Sequence, residues 1–228
     1  MACCLLAIES SGDVCSVAVY FNGSISQELT QQPRKHSEFI LPAIDGLLST
    51  LGIGLGDLDA IVFACGPGSF TGIRIAAAMT QGLALSHNVP IISVSSLAAL
   101  AQTAHRKLGL VQVASCVDAR INEVYWGVYK EENQLMVLQG TEVVCRPEDI
   151  PFDTSNIEIA VGSGVLYKSQ VMDRCSSIKG WESLENSEAH DVITLGIAQF
   201  EQQNFVSVEQ AVPVYLRDKV TWKKLPGR

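Results

Sequence analysis

Histidine is scarce in this chain and scattered along it. His36, His87, His105 and His190 are the only four, and none lies near another at ligand spacing. The seven cysteines are odd in number and contain no C-x-x-C pair. Both absences argue against a zinc site, which needs close cysteine and histidine spacing. Cys3, Cys4, Cys15, Cys65 and Cys116 sit in apolar runs, where a thiol acts as a small core residue. That usage points to a reducing compartment, and the cytoplasm is expected. No apolar run reaches 18 residues without a polar break, so no membrane span and no membrane partner are expected. The opening, Met1 to Glu9, lacks a basic stretch and meets an acid early, so it reads as a strand rather than a leader. No long linker or low-complexity stretch interrupts the chain.

What is present suits a compact α/β protein. The 228 residues are 47% hydrophobic and 18% charged, enough for one large domain or two small lobes. The net charge of −8 argues against a broad nucleic-acid-binding face. The charge is uneven. Residues 216–228 hold Arg217, Lys219, Lys223, Lys224 and Arg228 against Asp218, a net +4, which leaves −12 for the rest. A solvated end is the ordinary reading of that tail. The sharper one is a basic strap against RNA phosphate or an acidic partner.

The most informative stretch is Gly66-Pro67-Gly68-Ser69-Phe70-Thr71-Gly72-Ile73-Arg74. It follows the apolar run Ala60 to Cys65, a buried strand, and precedes Ile75 to His87, a helix former. Strand, glycine-rich turn and helix start can place N–H groups and a positive dipole end beside an anion. Glycines also let a second chain come close. The turn therefore offers either a phosphate cradle or a partner seat. Gly66-Pro67-Gly68-Ser69 is not a G-x-S-x-G nucleophile elbow, and Ser69 or Thr71 is better suited to cap the helix.

Strands are expected over 3–10, 14–21 and 24–30, with Asn22-Gly23 as a hairpin turn. A helix over 35–51 carries Pro42, which predicts a kink or a late start. The strand at 59–65 and the helix after the glycine turn come next, then a strand at 90–94. Ser95 or Ser96 caps a helix that runs to Leu108 and ends at Gly109. A second lobe then begins, with strands at 111–117, 123–129, 134–144 and 158–161. Gly162-Ser163-Gly164 reads as a turn, and a helix over 191–203 has Asp191 as its cap. The division is 1–109 and 110–228, with a duplicated α/β unit.

Taken together, several stretches resemble the bacterial TsaB (YeaZ) family. They are Leu6 to Ser11 with Cys15 to Ala18, His36-Ser37-Glu38 with Leu41-Pro42, Gly66 to Arg74, and Gly82-Leu83-Ala84. They continue through Ser95-Leu97, Asp118-Ala119-Arg120 with Glu123-Val124-Tyr125, and Pro213 to Arg217, and so span nearly the whole chain. The resemblance implies a two-lobed actin, sugar kinase and Hsp70-like fold. It implies a non-catalytic role in forming N6-threonylcarbamoyladenosine at position 37 of tRNAs reading codons that begin with A. The implied partners are the catalytic paralogue TsaD, the ATPase TsaE and, through the complex, tRNA. A homodimer is implied when the chain is alone. The alternative is an independent phosphotransferase of the same fold or a glycoprotease-like peptidase.

The residues themselves bear on that choice. Where the catalytic paralogue holds a metal with an H-x-x-x-H pair, this chain has Ser96 and Leu100, which make no metal site. No catalytic residue and no intrinsic cofactor are expected. Glu9, Ser10, Ser11 and Gly12 end the first strand and could make weak phosphate contact, with ATP or ADP completed at a partner interface. His36 reads as a helix-start residue, and Asp118-Ala119-Arg120 as a salt-bridged turn or part of a site between the lobes. The helix from Gly72 to Leu85 is small-sided. A partner surface is expected on Gly72, Ala76, Ala77, Ala78, Thr80, Gly82 and Leu83, joined by Ile40 and Ile44. Arginine at Ala77 or Ala78 is expected to break pairing and spare the fold.

Overall fold

The computed structural model describes residues 3–32, 35–151 and 157–217. The first half runs Leu5–Glu9 (β1), Cys15–Phe21 (β2), Ser24–Thr30 (β3), His36–Leu51 (α1), Ala60–Gly66 (β4), Phe70–His87 (α2), Ile91–Ser95 (β5) and Ser96–Leu108 (α3). The second runs Gln112–Arg120 (β6), Glu123–Glu132 (β7), Leu135–Leu138 (β8), Val143–Cys145 (β9), Ile159–Val161 (β10), Lys168–Arg174 (α4), Gly180–Trp181 (β11) and Ala189–Glu201 (α5).

The two sheets share one plan. The first has the order β3-β2-β1-β4-β5 and the second β8-β7-β6-β10-β11, with β9 added to β7. In each, three strands meander antiparallel and two more join in parallel. This is the duplicated α/β plan expected from the sequence. Its central strands β1 and β4 are buried along their whole length, as strands covered on both faces must be.

Two of the helices, α3 and α5, pack on the sheet of the other half. α1 and α2 cover one face of the first sheet, where Ile40, Ile44, Leu47, Ala76 and Ala77 meet Leu6, Ile8, Val17, Ile61 and Phe63. The other face is covered by α5 from the second half, through Ala189, Val192 and Ile193 against Leu5, Ala7 and Val62. α3, from the first half, packs on the second sheet, with Leu97, Leu100 and Ala104 against Val113, Tyr129 and Val161. A cut at 109/110 follows the strands but would strip each sheet of a covering helix.

α3 and α5 are joined where they cross. Arg106 donates from Nε and one terminal nitrogen to the two Asp191 oxygens at 2.8 and 2.7 Å, and from the same terminal nitrogen to Glu188 at 2.9 Å. Thr103 donates its hydroxyl to Asp191 at 2.8 Å, and Lys107 pairs with Glu188. Asp191 is therefore a buried ion-pair residue in the first turn of α5 and not its cap, which falls at Glu188. Burial would raise its carboxyl, but the bonds and charge of Arg106, with the Thr103 bond, outweigh that and hold it below the usual range.

Other features match the residues that specify them. Ser69 and Ser95 cap α2 and α3, Gly109 closes α3 at φ 68°, and Asn133 turns between β7 and β8 at φ 54°. The expected strand over 134–144 is two, β8 and β9, and α4 and β11 were not foreseen because each is short and weakly patterned. Among the described residues no helix is long and apolar enough to cross a membrane.

Removing Asp191 strands Arg106 and Thr103 at the crossing. Asp191→Ala should cost about 3 kcal/mol or more in denaturant unfolding at neutral pH. Because the folded carboxyl titrates low, its stabilisation is present at neutral pH and lost as pH falls through the acid range. Asp191→Asn should flatten that acid slope, and an unchanged slope would assign it to other carboxylates.

Candidate functional site

The glycine-rich turn closes onto the chain itself. A Cβ on Gly72 would strike the Ser10 carbonyl oxygen, and one on Gly68 would sit 2.5 Å from that of Ser11. Two hydrogen bonds exploit the approach. Ser69 N donates to Ser11 O at 2.7 Å, and the Ser10 hydroxyl donates to Gly72 O at 2.9 Å. Ser69 Oγ accepts from Gly72 N at 3.3 Å and, as one of the two caps expected from the sequence, starts α2 at Phe70. The space that Gly68 and Gly72 leave open is taken by the β1–β2 turn of the chain itself rather than by an anion or a second chain.

The residues considered for phosphate contact are likewise engaged. Glu9 and Ser10 are wholly buried, and Ser11 nearly so. Ser11 N donates to Glu9 Oε1. Gly12 lies against Asn186, whose Oδ1 accepts from Asp13 N at 3.0 Å and, at the long limit of 3.5 Å, from Val14 N. The turn donors that would face a phosphate are thus met by a side chain from the second half. Burial pushes the Glu9 carboxyl above the usual range, although bonds from Ser11 and Ser187 pull the other way. Burial also pushes the nearby thiols of Cys15 and Cys65 up to about 12, which removes them as neutral-pH nucleophiles.

Further contacts stitch the cleft between the halves. Ser95, at the junction of β5 and α3, donates to Glu142, which also accepts from the buried Tyr129 hydroxyl. The segment 211–217 crosses the cleft mouth. Val214 N donates to Cys65 O at 2.8 Å. Arg217 donates to Glu123 and, at 3.0 Å, to Ala119 O. The remaining tail, from Asp218 on, lies outside the described residues.

Other singled-out residues take structural places. Asp118 and Arg120 form a salt-bridged turn at 2.9 Å. Gly162 and Gly164 turn tightly against Cys116, as Gly68 and Gly72 do against Ser11 and Ser10. His36 opens α1, half-buried, 3.4 Å from Asp13 O. Leu100 is in the core beside Tyr129, and Ser96 is buried with its hydroxyl unbonded. No group of three acidic, cysteine or histidine side chains among the described residues is placed to hold a metal.

The outer face of α2 is different. Of the nine residues expected at a partner surface, Gly72, Ala76, Ala77, Thr80, Ile40 and Ile44 are buried against the chain's own core. They face inward because the α2 stripe that packs on β4 must be small. Ala78 and Gly82 are exposed and Leu83 is half-buried. Phe70 and Leu85, 60% and 67% exposed, extend the apolar strip. Phe70, Thr71, Arg74, Ile75, Ala78 and Met79 line an open groove of about 350 Å³. The Arg74 guanidinium lies 3.5 Å over the Phe70 ring and donates to the Tyr215 hydroxyl at 2.7 Å. Phe70 and Arg74, four apart, reveal themselves in sequence only once the helix is started at Ser69.

A two-lobed α/β protein whose halves are tied by hydrogen bonds between their own groups, and whose outer α2 face is apolar and open, is the class defined here. Comparison with known proteins places it further. The chain belongs to the TsaB (YeaZ) family. It is 36% identical to the tRNA threonylcarbamoyladenosine biosynthesis protein TsaB of Escherichia coli, covering 98% of this chain and 99% of the relative. It is also 36% identical to that of Haemophilus influenzae, covering 98% of each. YeaZ from Pseudomonas aeruginosa superposes with a TM-score of 0.87 at 38% identity, over 94% of this chain and all of that one. Residues 24–172 match a family model described as TsaD, tRNA N6-adenosine threonylcarbamoyltransferase.

Two substitutions probe the turn. Gly72→Ala should cost about 3 kcal/mol or more in denaturant unfolding, because the new methyl meets backbone that cannot swing away. Glu9→Gln should be near neutral at acid pH, where the raised carboxyl is protonated and, like the amide, uncharged. With that pKa raised, wild-type stability should decline as pH rises through the folded value, and the glutamine variant should not. A large loss in Glu9→Gln at pH 7 would mean that the native carboxylate is charged.

Proposed function

We propose that this chain is a non-catalytic subunit of a cytoplasmic complex that forms N6-threonylcarbamoyladenosine at position 37 of tRNAs reading codons that begin with A. It docks a TsaD-type catalytic paralogue, works with a TsaE-type ATPase, and meets tRNA through the complex. Alone, it pairs with itself through the same face. The observation that carries this reading is the contrast between cleft and helix. Positions where a phosphate or nucleophile would act are engaged by Ser11, Asn186 and Glu142, while α2 presents Phe70, Ala78, Gly82 and Leu85 to solvent. An exposed apolar strip on a helix is a surface that wants a partner. Any ATP or ADP in the complex is held by the partners or at their interface with this chain.

Reconstitution tests the role. With TsaD-type and TsaE-type partners, ATP, threonylcarbamoyl-adenylate and substrate tRNA, modified adenosine should form only when this chain is added. Glu9→Gln should support the same yield. Full yield without the chain, or turnover by the chain alone, would point to an independent phosphotransferase or peptidase instead.

The docking face has its own test. Ala78→Arg should weaken the heterodimer by at least about tenfold with an unchanged melting temperature, because a desolvated charge at an apolar interface is costly. Ala77→Arg is no comparable probe, since Ala77 is only 4% exposed and arginine there should unfold the monomer.

A further inference from the structure

We infer that Arg74 is the polar anchor of the α2 docking face and that it receives a carboxylate from the partner protein. This rests on the docking role proposed for that face. The guanidinium is held in place before any partner arrives. Phe70 lies beneath it at 3.5 Å, and the Tyr215 ring flanks it 5.7 Å away while the Tyr215 hydroxyl accepts from Nε at 2.7 Å. The two rings are themselves 6.1 Å apart and tilted by 45°. Such a clamp removes much of the rotamer freedom that an exposed arginine otherwise loses on binding. Only Nε is committed to Tyr215, and among the described residues no carboxylate pairs with Arg74. The terminal nitrogens present the fork that takes a carboxylate in bidentate fashion.

The surroundings favour a protein carboxylate over a phosphate. The groove beside the guanidinium is continued by Ile75, Ala78 and Met79, and among the described residues Arg74 is the only charged one lining it. Phosphate-rich ligands are met by several cations, and the chain as a whole is acidic. A single stacked arginine on the edge of an apolar, aromatic patch is the composition of a protein–protein hot spot. The complementary surface is an apolar helix bearing one aspartate or glutamate. Tyr215 gives the strap across the cleft mouth a part in this, since its hydroxyl orients a guanidinium rooted on α2. It acts as a positioning residue.

Heterodimer affinity measured with purified, full-length partners tests the inference. Arg74→Gln should weaken binding by at least about tenfold and reduce its dependence on sodium chloride. Arg74→Lys should not restore it, because an ammonium lacks the planar fork. Tyr215→Phe should cost a few-fold while leaving Ala78→Arg as damaging as before. Melting temperatures of the three variants should match wild type. Arg74→Gln binding within twofold of wild type overturns the anchor. If Ala78→Arg still abolishes the heterodimer in that case, the docking face stands and only Arg74 is wrong. If neither variant matters, the docking face falls too. An Arg74→Gln complex that forms normally but binds tRNA more weakly would reassign the site to phosphate.

Discussion

The approach of Gly72 to the Ser10 carbonyl is the contact on which the rest depends. It brings the β4–α2 junction down onto the turn between β1 and β2, closer than any side chain allows. Ser69 N and the Ser10 hydroxyl are then bonded within the chain, and Ser69 starts the helix. Started there, α2 turns Gly72, Ala76 and Ala77 to the sheet and Phe70, Arg74 and Ala78 to solvent. One backbone constraint thus fills the space beside the glycine turn with the chain itself and sets the phase of the open helix face. The second half repeats it, with Gly162 and Gly164 against Cys116.

The exchange of α3 and α5 gives that face a firm base. Each helix covers the sheet of the other half, and Arg106 with Asp191 and Glu188 fastens the crossing. A buried pair of this kind adds little net stability over apolar packing but is costly to break singly, so it acts mainly on which arrangement is allowed. Glu142 on Ser95, Asn186 on the β1–β2 turn and the 211–217 strap add ties across the same cleft. The proposed scaffold role suits a body built in this way, since a docking surface benefits from order that exists before the partner arrives.

Most elements were legible in the sequence. The helical spacing of Ile40, Ala43, Ile44, Leu47 and Leu48, the caps at Ser69 and Ser95, and the stop at Gly109 are local signals, decided within a few residues. The motifs shared with the TsaB family were equally visible, since they lie along the chain in order. The candidate site was legible only in part. The small residues of α2 were recognised, but their direction was misjudged for Gly72, Ala76, Ala77 and Thr80. Both an inner stripe that packs on a strand and an outer stripe that admits a partner favour small side chains.

The sequence by itself determined most of the element order, the glycine turn and the missing metal pair, because each depends on residue type at short range. Tertiary structure decided what the turn's donors face, which side of α2 is free, and that Tyr215 clamps Arg74 across a separation of 141 residues. It also decided that Asp191 is a buried ion-pair partner rather than a helix cap. Each of these rests on which groups meet when distant segments pack, and a hydrogen bond or a burial has no local signature until its partner is in place.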